Sequence, residues 1–152
     1  MRFVIQCVSE ASVTIDGEIC GKIDKGFCVF AGIGEGDDET VADKLIDKML
    51  KLRIFQDSEG KTNLNIEQVQ GSILIISQFT LYADCRKGNR PSFVNAMQPD
   101  RANELYEYIV GELRKQNSNV QTGRFGSDMK VSLVNDGPFT IILDSDEILK
   151  KR

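Results

Sequence analysis

At 152 residues, 41% of them apolar and 28% charged, the chain has single-domain length and enough apolar side chains for a core without staples. It contains no histidine, which excludes Ser-His-Asp and Cys-His nucleophile systems, a histidine general base and nearly all catalytic zinc sites. A formal net charge of −4 argues against nonspecific coating of nucleic acid and leaves room only for a local basic patch.

Residues 2–8 and 11–15 alternate apolar and polar side chains, as strands do, and this opening run reads as a strand rather than a signal peptide. "GEIC", 17–20, reads as a turn and return strand, and "GFCVFAGI", 26–33, as a strand buried on both faces. "GIGEGDD" lacks G-x-G-x-x-G spacing and a following lysine, so it predicts a flexible turn into a helix. Asp37 or Asp38 suits the cap of that helix, with Val41, Leu45, Met49 and Leu52 along one face. "LRIF", 52–55, returns to strand, "QDSEGKTN" is a polar loop, and "SILIISQF", 72–79, is the strongest strand signal.

A second helix opens at "QPDRANELY", with Pro99 in its first turn and Ala102, Leu105, Ile109 and Leu113 as its buried stripe. "MKVSLV", 129–134, and "FTIILD", 139–144, complete the strands. The pattern predicts one α+β domain over 1–152, with two principal helices and a mainly antiparallel sheet. No segment approaches the ~18 consecutive apolar residues of a membrane span. Cys7, Cys20, Cys28 and Cys85 show no C-x-x-C spacing, which fits reduced thiols in a cytoplasm.

Three stretches carry the candidate chemistry. In "SQFTLYAD", 77–84, an apolar strand runs into Ser77, Gln78 and Thr80. Strict alternation puts Ser77 and Phe79 on one face and Gln78 and Thr80 on the other. Such a strand end either satisfies loop backbone or offers amide donors to a developing oxyanion. "CRKGNRPSF", 85–93, places Arg86, Lys87 and Arg90 beside Phe93, as a solvated loop or a grip on an RNA end. "VNDGPF", 134–139, is an irregular turn or a functional loop, because Pro138 donates no hydrogen bond and restricts Gly137 before it. Asp144, Asp146 and Glu147 allow a metal-dependent hydrolase but read better as a charged tail.

Taken together, S-Q-F-T-L, R-P-S-F, "TGRFGSDMKVSLVNDGP" (122–138) and the "MRFVIQ" opening resemble the D-aminoacyl-tRNA deacylase family, also called D-tyrosyl-tRNA deacylases, over essentially the whole chain. The resemblance implies a β-barrel-like subunit in a cytoplasmic homodimer with active sites at the subunit interface. It implies hydrolysis of D-aminoacyl-tRNA and mischarged glycyl-tRNA without metal or cofactor. By position, Ser77, Gln78, Phe79, Thr80 and Leu81 form the strand-end motif, and Gly137 and Pro138 the cis-proline motif, flanked by Asn135 and Thr140. That loop is expected to enter the partner's site and exclude L-aminoacyl groups by collision with backbone. Cys7 departs from the family, which usually has there an arginine thought to brace the loop. Two other readings stay open: a noncatalytic nucleic-acid-binding dimer, and an esterase with Thr80 as nucleophile.

Overall fold

A computed structural model describes residues 1–151. Its first element, β1 (Arg2–Ile15), is one long strand where two short ones were expected, and it organises the sheet. On one edge it pairs antiparallel with β3 (Gly26–Gly32) through residues 2–8, and with β2 (Glu18–Ile23) through residues 11–15. On the other edge it pairs with β8 (Lys130–Asp144) along nearly its whole length. The hairpin from β1 to β2 turns at Asp16 and Gly17, both at positive φ (50° and 80°), as a two-residue hairpin turn of the right twist requires.

β6 (Ser72–Ser77) adds parallel to β3, and β7 (Val120–Thr122) parallel to β6. The sheet is therefore mixed, with every β1 pairing antiparallel. β2 curls back toward β7: a Cβ on Gly21 would stand 2.8 Å from the Thr122 carbonyl oxygen. The sheet is thus a nearly closed barrel, and glycine is the residue that permits this approach.

The apolar runs at β3 and β6 are explained by burial on both faces. Phe27, Val29, Ala31, Ile73 and Ile75 point to a core shared with α1 (Glu39–Lys51) and α2 (Pro99–Gln116). Cys28, Leu74 and Ile76 point the other way, to a smaller cluster inside the barrel with Val8, Ala11 and Val13. β1 serves both cores. Phe3, Ile5 and Cys7 face the helices, and irregular register with β8 between Gln6 and Glu10 re-aims the strand toward the barrel interior. Each fully buried Leu or Ile contributes roughly 1.5–3 kcal/mol by leaving water.

α1 starts where expected, with the Asp38 carboxylate accepting from the Val41 amide at 2.9 Å. Leu45 and Met49 are buried with Ala42 and Ile46, while Val41 and Leu52 pack at the border of the core. All four residues of the expected α2 stripe are buried, joined by Tyr106 and Val110. The "LRIF" strand shrinks to β4 (Phe55–Gln56), which pairs with β5 (Thr62–Leu64) across the polar loop. A short α3 (Ser145–Ile148) follows β8. Among the described residues, no helix is long and apolar enough to cross a membrane.

Two expected boundaries move. β6 stops at Ser77, and residues Phe79–Tyr82 form a 3-10 turn, so alternation does not decide which way Gln78, Phe79 and Thr80 point. β8 runs unbroken through Asn-Asp-Gly-Pro where two strands and a turn were expected. Val8 pairs with Asn135 and Gln6 with Thr140, so residues 136–139 bulge out opposite Cys7. A bulge answers the same local signal as a turn, because it too tolerates a residue with no hydrogen to donate.

Candidate active site

The last ladder bond of β6 runs from the Gln78 amide to the Ala31 carbonyl at 2.8 Å. The chain then tightens into the 3-10 turn, with the Leu81 amide donating to Gln78 O and the Ala83 amide to Thr80 O. The first amides of a helical turn have no acceptor within it. Those amides belong to Phe79 and Thr80.

Sequence reasoning missed what allows this turn to lie so close to β3. A Cβ on Gly32 would stand 2.8 Å from Leu81 Cβ, and one on Gly34 2.6 Å from the Tyr82 ring. The glycines of "AGIG" therefore make room for the SQFTLY turn, a role that phosphate-loop spacing rules do not test. Arg2 was missed as well. Its guanidinium donates to the Leu81 carbonyl and to the Asp144 carboxylate, both at 2.8 Å, and lies over the Tyr82 ring. It ties the turn to the end of β8. Asp144 also accepts from the Asp146 amide at 2.9 Å, so this carboxylate is engaged in holding the fold together.

Beside the turn lies a cavity of about 610 Å³, lined by Ser77, Gln78, Phe79, Phe93, Met97 and Phe125 among others. Gln98, Pro99 and Ala102 bring the N-terminus of α2 to its wall. Unpaired amides and the helix dipole make that end favourable to negative charge. Phe79 is 55% exposed and meets Phe93 edge-on at 5.0 Å between ring centres. The site thus combines aromatic walls with amide donors at one edge.

Thr80 is exposed and its hydroxyl accepts from the Gln78 side-chain amide. An amide takes no proton from a hydroxyl, so this partner does not activate Thr80 as a nucleophile.

Gly137 and Pro138 are joined by a cis peptide bond and both are exposed. Asn135 spans the bulge, accepting from the Phe139 amide at 3.0 Å and donating to the Thr140 hydroxyl at 3.1 Å. Gln6 of β1 donates to that same hydroxyl at 3.2 Å. Cys7 is buried in the core opposite the bulge. Burial, and secondarily the Asp136 charge, push its thiol up to about 11. Within one chain the bulge does not meet the SQFT turn. β8 lies three strand positions from β6, roughly 14 Å across the sheet at ordinary strand spacing.

The basic patch is exposed as expected, in a loop closed by pairing of Asp84 with Ser92. Arg86, however, spends its guanidinium on Asp84, at 2.9 and 2.7 Å, and those hydrogen bonds hold that carboxyl down to about 2. The free positive charge of the patch falls to Lys87 and Arg90, which make no ion pair among the described residues.

Residues 4–144 match the family described as D-Tyr-tRNA(Tyr) deacylase. The chain belongs to that deacylase family. It is 57% identical to a D-aminoacyl-tRNA deacylase of Lactobacillus acidophilus, over 95% of this chain and 99% of that one. It is 51% identical to a D-aminoacyl-tRNA deacylase of Thermosipho melanesiensis, over 97% and 99%. Among solved structures it resembles a c-Myc DNA unwinding element binding protein, with TM-score 0.90, 39% identity and coverage of 95% of this chain and 98% of that one. A probable eukaryotic D-amino acid tRNA deacylase shares the fold at TM-score 0.78 and 18% identity, covering 93% and 97%. A deacylase is an ester hydrolase, and this family member is accordingly an enzyme.

Proposed function

We propose that this protein hydrolyses the ester joining a D-amino acid, or glycine on the wrong tRNA, to the terminal adenosine of tRNA, as a cytoplasmic check on translation. The observation that carries the reading is a 3-10 turn whose first two amides, Phe79 and Thr80, have no acceptor within it, with Phe79 on the lining of an aromatic-walled cavity. The cavity takes the terminal adenosine, with its base among the phenylalanines. The ester carbonyl then lies against the amides. Water attacks the carbonyl carbon while the neighbouring ribose hydroxyl relays its proton, and the two N–H groups receive the oxyanion. Collapse breaks the ester C–O bond and releases the amino acid and a protonated ribose hydroxyl. No step in this scheme runs through a metal or cofactor.

Selectivity belongs to the Gly137–Pro138 bulge of a second subunit. Separation across the sheet supports a donor from another copy, since the bulge stands far from its own SQFT turn. An apolar row supports the interface. Phe30, Val4 and Ile142 lie side by side on adjacent strands, and Ile142 is 67% exposed. An L side chain would meet the bulge backbone, a D side chain would point away, and glycine has nothing to exclude.

The deciding experiment measures ester release from D-, L- and glycyl-tRNA, each with and without chelator. Turnover of D- and glycyl-tRNA with little attack on L-aminoacyl-tRNA, indifferent to chelator, is the expected result. No turnover of any ester would favour a second reading, a nucleic-acid-binding dimer, which has the name of the 39% identical structure on its side.

Two variants refine the scheme. Thr80→Ala should keep activity within about tenfold, because the hydroxyl has only an amide partner. A trapped aminoacyl ester on Thr80 would replace the water mechanism with a nucleophilic one. Cys7→Arg should sharpen discrimination against L-aminoacyl-tRNA, since the new guanidinium would stand opposite the bulge with Asp136 in reach of its charge. The ratio of D to L turnover checks this, and an unchanged ratio removes residue 7 from the filter.

A further inference from the structure

A second groove, of about 510 Å³, opens between the later turns of α2, the end of β7 and the segment that follows it. Phe125 lines both this groove and the main cavity, so the two share a wall. Arg114 and Arg124 stand in the groove with Thr122 and Asn103. Both arginines are exposed, and neither makes an ion pair among the described residues. Arg114 has one weak tie, to the Val120 carbonyl at 3.4 Å. Glu107 is the one carboxylate on the lining, so two guanidinium charges face one opposing charge. The 85–93 loop, whose Arg86 is already bound to Asp84, also keeps two cations free among the described residues, but only the groove sets its pair beside a wall shared with the main cavity. Planar guanidinium groups match phosphate oxygens, and a hydroxyl and an amide add neutral donors.

We infer that this groove binds the phosphodiester backbone of the RNA strand just before its terminal adenosine, leading that nucleoside into the main cavity past Phe125. The inference rests on the reading that the main cavity holds the adenosine. Two phosphate contacts on a single strand account for a salt slope of about 1.4.

The test compares the unaltered protein, Arg114→Gln/Arg124→Gln, Arg114→Lys/Arg124→Lys, and reversal of Arg86, Lys87 and Arg90 to glutamate. Binding of deacylated tRNA is measured over a range of salt. The glutamine pair should weaken binding roughly tenfold or more and lower the salt slope by about 1–2. The lysine pair should keep most of the slope. Loss of rate on D-aminoacyl-tRNA should exceed loss on D-aminoacyl-adenosine, which has no backbone phosphate, by about tenfold. An unchanged slope in the glutamine pair, or equal losses on the two substrates, overturns the groove. So does a slope that falls only in the 86–90 variant. Failure of the unaltered protein to cleave D-aminoacyl-adenosine while it cleaves D-aminoacyl-tRNA leaves the hydrolase reading standing, but sinks the adenosine pocket and the groove with it.

Discussion

Phe79→Pro should lower D-aminoacyl-tRNA hydrolysis by about 10²–10³-fold, the usual loss when one oxyanion donor is removed, while Phe79→Ala falls much less. Phe79 is the first residue of the 3-10 turn, where proline's fixed φ is suitable and its missing N–H breaks no bond in the turn. Gln78 before it, at φ −142° and ψ 85°, already lies outside the α region that a following proline disfavours. The substitution therefore deletes one hydrogen-bond donor at little structural expense. It also removes a ring that meets Phe93, and the alanine variant subtracts that part. Single-turnover rates of both variants, with melting curves to confirm folding, provide the comparison. Equal losses in the two would show that the ring matters and the amide does not.

What local sequence conveys and what it hides are both visible around this turn. β3 and β6 were readable because burial on both faces leaves continuous apolar runs. The α2 stripe was readable because one face of a long helix meets the core. The same apolar momentum misled at Ser77–Phe79, where the strand signal continues past the point at which the chain turns. The turn is set by distant residues: Gly32 and Gly34 leave space for it, and Arg2 holds its carbonyl. None of these is adjacent in sequence. The parallel pairings of β6 were also hidden, since β7 is three residues long and carries no pattern of its own.

At Asn-Asp-Gly-Pro the local signal marked an irregularity correctly but not its kind. Long pairing with β1 on both sides keeps β8 in register, so the irregularity becomes a bulge instead of a chain reversal. Of the candidate site residues, Ser77, Gln78 and Phe79 come together at one cavity. Gly137 and Pro138 stand elsewhere in the same chain, a separation that only topology reveals. The basic loop was legible as charge, but its Arg86–Asp84 pair depends on how the loop closes.

Gly137→Ala should reduce D-aminoacyl-tRNA hydrolysis by about 10²-fold, the scale of a loss from an ångström of misplacement near the reacting group. Gly137 has φ +145°, which side chains of L-residues rarely adopt, and an added Cβ would stand 2.9 Å from the Phe139 amide nitrogen. The bulge must shift. Local strain of about 1–3 kcal/mol is small against a domain stability of about 5–15 kcal/mol, and β1 holds β8 on either side, so the fold survives. Co-refolding this variant with Phe79→Pro then asks where the bulge acts. If it completes the partner's site, a mixed dimer has one site with both faults and one with neither. Half of randomly assorted dimers are mixed, so activity should return to about a quarter of that of the unaltered protein. If each bulge serves its own chain, every site carries one fault and mixing restores nothing. Mixed dimers confirmed by mass, with activity no higher than that of the parents, would return the filter to a single subunit and remove the physical case for an interface site.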